Sequence, residues 1–232
     1  MEIKLVHIIL AICFGVLPSF IWLIYFLKKD PKPEPKETLL LCFFYGMLAT
    51  LPAIYFESLL SLTGSFKKIP LVSLIGFAFI EEFFKFFSAK ISVSRKKEFD
   101  EAIDPMIYLI TAAMGFALVE NWLYLFAGFF EENFGFFDLF FVALGRFLGA
   151  TFLHASASAL LGYFWALSIL KMKKSLLILG IIFSTFLHAG FNFAIYSLEK
   201  IGFKALIFLF LLFFLLLLSL PLKLAFKKLR KY

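Results

Sequence analysis

Four stretches of this chain set acids, bases and amides at helical spacing inside otherwise apolar sequence. The first reads GFAFIEEFFKFF from Gly76. Lys85 lies at i+4 from Glu81 and i+3 from Glu82, so the three share one face of a helix. The second, GFALVENWLYL from Gly115, carries Glu120 and Asn121, with Tyr124 one turn after Glu120. The third, TFLHASASALLGY from Thr151, carries His154, with Thr151 and Ser158 on the same face. The fourth, STFLHAGFN from Ser184, places His188 and Asn192 at i and i+4.

A charged side chain near the centre of a bilayer costs roughly 2.5–3.5 kcal/mol or more, so it persists only when paired, hydrated or useful. Lys85 can neutralise one carboxylate of the Glu81–Glu82 pair. The other must find a partner or hold a proton, because two like charges in low dielectric do not both stay ionised. A general base and its supporting acid are built this way. Glu81 reads as the base that activates a water, with Glu82 or His154 orienting it. His188 and Asn192 read as the groups that bind a developing oxyanion. Lys85, Glu120 and Asn121 read as supporting residues. The bland alternative is an ion cluster that only locks helix packing, with each His a hydrogen-bonded packing residue. Two His on consecutive apolar stretches, preceded by Glu on the two before them, weigh against it. His7, close to the chain start, is incidental.

Metal chemistry is the rival detail. Two His and one Glu with an open position form a catalytic zinc set, and Glu81, His154 and His188 can supply it. A Glu base beside an HxxxN oxyanion site favours metal-free, glutamic-type chemistry, with no cofactor. HExxH and GxGD motifs are absent, as is a Ser–Lys or Ser–His pair at comparable depth. The rival class is a proton- or metal-coupled transporter or channel, which uses the same residue types at mid-depth. Without an internal repeat, the chain fits that class less well.

The elements that carry these residues must sit in lipid. The chain has 232 residues, 62% of them hydrophobic, with 36 Phe and a mean hydropathy of +0.96. A soluble domain is typically ~45–50% apolar. Apolar stretches long enough to span a bilayer run about 5–27, 39–62, 70–90, 105–129, 139–170, 175–196 and 203–226. The expected fold is therefore all-α, a polytopic bundle of about seven transmembrane helices in a single domain over 1–232. The fifth stretch is too long for one straight span, so an interfacial lead-in followed by a helix from about 147 is expected. The first stretch lacks a basic n-region and a small-residue cleavage site, so it reads as a retained helix. Cys13 and Cys42 lie in apolar runs without a CxxC pair and read as small buried side chains.

The net charge of +7 would suggest nucleic acid for a soluble protein. Here the basic residues flank apolar stretches, so they set orientation instead. The segments 28–38, 90–104, 171–174 and the tail from Lys223 carry 16 of the 23 Lys and Arg. The N-terminal end and the loops 63–69, 129–138 and 197–204 carry 5. The bias makes the first set cytoplasmic, with the N-terminus outside and the C-terminus inside. At ~1.5 Å per residue, Glu81, Glu120, His154 and His188 all lie about 20–25 Å from the inner ends of their helices. Packing residues need not agree in depth, but the parts of one site must.

EEFFK at 81–85, GFALVEN at 115–121, His154 and HAGFN at 188–192 resemble the motifs of the PrsW family. The pattern is more distantly similar to the CPBP family, which includes the CAAX prenyl endopeptidases. The CPBP second motif ends in His where Glu120 stands here. The resemblance implies an intramembrane protease of the bacterial or archaeal plasma membrane. It also implies a membrane-anchored protein substrate, a single-span one of the anti-sigma-factor type.

Overall fold

A computed structural model describes residues 5–63, 70–131, 134–202 and 204–232. The N-terminal end, the loop 63–69 and Glu132, all expected on the outer side, lie wholly or largely outside these residues. The helices are α1 (Leu5–Leu27), α2 (Lys36–Leu62), α3 (Pro70–Val93), α4 (Asp104–Gly128), α5 (Phe136–Gly145), α6 (Thr151–Leu170), α7 (Lys174–Ile201) and α8 (Lys204–Leu229). A five-residue π turn, Arg146–Ala150, joins α5 to α6. No strand occurs among the described residues.

The seven apolar stretches are all helical, and six are long and apolar enough to cross a membrane. The seventh, α3, has the length, at 24 residues, but carries Glu81, Glu82, Lys85 and Lys90. The first three of these charges are buried inside the bundle. The expected lead-in before residue 147 is not a separate element. Phe136–Leu170 runs as one helix of 35 residues, interrupted by the π turn. The loops fall where proline and charge place them: Pro35 caps α2, and Pro105 occupies the first turn of α4.

At the centre stands α4, which packs against α1, α2, α3 and α6. Lipid is as apolar as a leucine side chain, so helix association in a bilayer relies on close backbone approach over small residues. The chain supplies them at the crossings. A Cβ on Gly46 of α2 would lie 1.9 Å from the Ala112 carbonyl of α4, and one on Gly115 of α4 would lie 2.0 Å from the Phe43 carbonyl. Cys42 is buried in this seam, its thiol donating to the Tyr108 carbonyl at 3.1 Å. Cys13 was expected to be buried too, but it faces outward from α1. Outward faces elsewhere carry large apolar side chains such as Leu209, Phe213, Leu216 and Leu220 on α8. Lipid is the solvent they fit.

Three of the segments expected on the cytoplasmic side converge at one end of the bundle. Lys32 pairs with Glu101 at 2.5 Å. The Tyr108 hydroxyl donates to Glu34 at 2.5 Å. Phe26 at the end of α1 stacks on Phe226 of α8, with centroids 6.0 Å apart. The loop 28–35, the loop 94–103 and the end of α8 therefore share one face.

Candidate active site

Helices α3, α4, α6 and α7 bring their polar residues to one point. The i, i+3 and i, i+4 spacing on α3 turns Glu81, Glu82 and Lys85 toward α4, α6 and α7. The Lys85 ammonium donates to Glu82 Oε1 at 2.6 Å and to His154 Nδ1 at 2.8 Å, and lies 3.4 Å from Glu81 Oε2. It also sits 4.9 Å from the centre of the Phe116 ring. His188 Nδ1 donates to Glu82 Oε1 at 2.8 Å. His154 Nε2 donates to Glu120 Oε2 at 2.8 Å. The two imidazole rings are 5.2 Å apart and nearly perpendicular.

These bonds assign the ring protons. An ammonium only donates, so His154 Nδ1 accepts from Lys85 and the ring carries its proton on Nε2, toward Glu120. A carboxylate only accepts, so His188 carries its proton on Nδ1, toward Glu82. That leaves His188 Nε2 as a free lone pair. Glu81 Oε2 lies 3.7 Å from His188 Nε2 and 3.8 Å from His154 Nδ1, and it makes no hydrogen bond. A carboxylate oxygen without a hydrogen bond and two lone-pair nitrogens thus face one another, with all three residues buried.

The cluster includes a residue that sequence reasoning did not assign to the site. Arg146, in the π turn, donates from Nη2 to Glu120 Oε2 at 3.1 Å and from Nε to Asn121 Oδ1 at 2.5 Å. Its guanidinium lies 4.1 Å from the centre of the Tyr124 ring. Asn121 also donates to Thr151 Oγ1 at 3.2 Å and to the Gly15 carbonyl at 3.3 Å, tying α4 to α6 and α1. Turns of i→i+5 type recur at functional sites. This one turns Arg146 toward α4 while Thr151 and His154 also face inward. Glu57 on α2 was also missed. It is half-buried. Both residues carried the same signal as the others: an ionisable side chain inside an apolar stretch.

Asn192 sits one turn beyond His188 on α7, half-buried and without a side-chain hydrogen bond among the described residues. Two further hydroxyls near the histidines, Ser158 on α6 and Thr185 on α7, are buried without a partner. His7, near the start of α1, makes no contact with the cluster among the described residues.

The donor chemistry suits a divalent ion. Two imidazole nitrogens and a carboxylate oxygen form a catalytic zinc set with an open position. Each imidazole also gives its other N–H to a carboxylate, the arrangement that orients metal-binding histidines. Glu81, Glu82 and Glu120 stand against two cations, Lys85 and Arg146, so the third carboxyl must share a cation, hold a proton or meet an added ion.

Membrane-length helices around a buried carboxylate–imidazole cluster define a polytopic membrane protein with an ionisable centre. The chain belongs to the PrsW family of intramembrane metalloproteases, whose model matches residues 34–220. It is 29% identical to Protease PrsW of Geobacillus kaustophilus over 192 residues, covering 82% of this chain and 81% of the relative. The Oceanobacillus iheyensis protease PrsW is also 29% identical, over 77% of this chain and 80% of the relative. That of Bacillus subtilis is 29% identical, over 80% and 83%. No solved structure matches the chain. The protein is therefore a multi-pass membrane peptidase.

Proposed function

We propose that the chain, acting as one transmembrane protease domain over 1–232, hydrolyses a peptide bond of a single-span membrane-anchored protein, in the manner of an anti-sigma factor. Water is activated at Glu81, His154 and His188. One observation carries this reading: Glu81 Oε2, which makes no hydrogen bond and lies 3.4 Å from the Lys85 ammonium, faces a nitrogen of each imidazole at 3.7 and 3.8 Å. A divalent ion such as zinc would be held by Glu81, His154 and His188, where it would acidify water and polarise the scissile carbonyl. Glu82 and Glu120 hold the two imidazoles in the tautomers that expose those nitrogens. Asn192, with a free amide one turn from His188, is the donor offered to the oxyanion.

The geometry also supports an ion-free reading. With Lys85 donating to His154 Nδ1, Glu81 is the free carboxylate that takes a proton from water, and His188 Nε2 is a second acceptor for that water. His188 then donates to an oxyanion only as an imidazolium. The two readings differ in what balances the third carboxylate, and zinc content separates them.

Glu82 and Lys85 are 0% exposed, His154 and His188 2%, and Glu81 7%. A peptide bond reaches them only if helices part. Glu120 and Arg146 are partly exposed beside the exposed Tyr124, toward the end of α4 that the charge bias assigns to the outer side. Cleavage of a single-span test substrate by purified protein tests the function, with metal analysis of the same preparation. Zinc near one per chain, with activity lost to a chelator and restored by zinc, supports the metal reading. Full activity without metal supports the Glu81 base. No cleavage under either condition overturns the function.

A further inference from the structure

Resting on the metal reading above, we propose that the Lys85 ammonium is a resident cation that competes with the metal for His154 Nδ1, so that ion binding requires its withdrawal. An imidazole nitrogen has a single in-plane lone pair. His154 Nε2 carries the proton shared with Glu120 at 2.8 Å, so Nδ1 is the ring's one ligating atom. That atom already accepts from Lys85 at 2.8 Å. It cannot accept this N–H and bind a metal at once.

The same ammonium lies 3.4 Å from Glu81 Oε2, another atom of the metal set. The third, His188 Nε2, is free. Lys85 thus blocks one ligand of the set and screens a second. It need not leave the site to yield, because it keeps a partner of its own in Glu82 Oε1 at 2.6 Å. Glu82 does not belong to the metal set.

This arrangement has a reason. Without any cation, Glu81, Glu82 and Glu120 would stand together in a nearly water-free interior, and leaving buried charge uncompensated is strongly destabilising. Lys85 lets the chain fold and insert before metal arrives. The consequence is weaker metal binding, since part of the ion's binding energy is spent on displacing the lysine.

Zinc affinity of the metal-free protein in detergent, measured by competition with a chromogenic chelator, tests this without reference to activity. Lys85→Met and Lys85→Gln should bind zinc at least about 10-fold tighter than wild type, a shift of ~1.4 kcal/mol. Their thermal midpoints should be low without zinc and rise more on zinc addition than that of wild type. Arg146→Gln removes a positive charge from the same cluster without freeing Nδ1, and should not tighten binding. Equal or weaker zinc affinity in both Lys85 variants overturns the proposal while leaving the metal site standing. Equal tightening in Arg146→Gln also overturns it, since bulk charge then sets the affinity. Lys85 variants that stay unfolded even with zinc overturn it, because the metal then does not replace the lysine. Zinc bound by neither wild type nor variants overturns both this inference and the metal reading.

Discussion

At the residue scale, one oxygen of Glu81 and one of Glu82 are the carboxylate atoms of the central cluster that make no hydrogen bond among the described residues. Glu81 Oε2 faces the two histidines, so its loss should remove the chemistry without unfolding the protein. Glu81→Gln preserves size and should reduce cleavage at least about 100-fold while insertion is unchanged. Glu82→Gln should be comparably inactive, because His188 and Lys85 both lean on Glu82 Oε1. Wild-type rates in both variants would defeat the site assignment. Arg146 touches Glu120, which holds His154, and Asn121, which holds Thr151, so in the proposed mechanism it is a positioning residue. Partners of this kind typically change activity by about 10–100-fold. Arg146→Ala should fall in that range, with kcat lowered more than KM is raised, and Arg146→Lys should recover part of it through Glu120. A pure KM effect in Arg146→Ala would instead make Arg146 a substrate contact.

At the element scale, the α2–α4 crossing is the tightest seam. Gly115 lies under the Phe43 carbonyl, and backbone cannot yield as a side chain does. Overpacking commonly costs about 1–3 kcal/mol, and here nothing flexible absorbs it. Gly115→Val should therefore lower the thermal midpoint in detergent and reduce the folded yield, whereas Gly190→Ala, with open space around its Cβ position, should do neither. A Gly115→Val protein as stable as wild type would show that the seam is looser than described. The loop 28–35 presents a different case. Burial pushes the Glu34 carboxyl above its ordinary value, against the Tyr108 hydroxyl that favours its ionised form. A carboxyl raised on folding stabilises the fold below its unfolded range, and that contribution is lost as pH rises through the folded value. Glu34→Gln keeps an acceptor for Tyr108 and removes the buried charge. Its thermal midpoint should exceed that of wild type by about 2 °C at pH 8, with the gap narrowing as pH falls toward the ordinary carboxyl range of about 4. A gap that widens toward pH 5 would reverse the sign.

For the whole molecule, the convergence of the loop 28–35, the loop 94–103 and the end of α8 matches the segments that carry the basic bias. The proposed orientation puts that face in the cytoplasm. Single cysteines placed near Lys96 and at Glu131 should label from the inside and the outside respectively, and the opposite pattern would invert the protein. The site then lies about 5–10 Å below the outer boundary of a hydrocarbon core about 30 Å thick. Glu120 and Arg146 are partly exposed beside the exposed Tyr124 on that side. A substrate helix must unwind to offer a carbonyl, because a helical backbone holds its carbonyls in its own hydrogen bonds. The cut is therefore expected near the outer face of the substrate's span, leaving a stub in the membrane. Mass spectrometry of the released fragment reads the position directly, and a cut in the cytoplasmic half would show that the depth or the orientation is misplaced.

Much of this was legible in the sequence because lipid makes the rules strict. A bilayer interior forces every backbone group into a helix and makes each charge costly, so apolar length marked the helices, and Glu81, Glu82, Lys85, Glu120, His154 and His188 stood out as the buried polar cluster. Agreement in depth needed only the rise per residue. Partnership was another matter, because spacing along one helix does not tell which atom of another it meets. Tertiary packing decided that Lys85 donates to His154 as well as to Glu82, that each imidazole turns its proton toward a different carboxylate, and that Glu81 keeps an oxygen free. It also turned the expected lead-in into a continuous helix whose π turn carries Arg146 onto Glu120. Sequence periodicity assumes 3.6 residues per turn, and a single inserted residue shifts every face beyond it. Only the folded bundle determines where that insertion is stabilised.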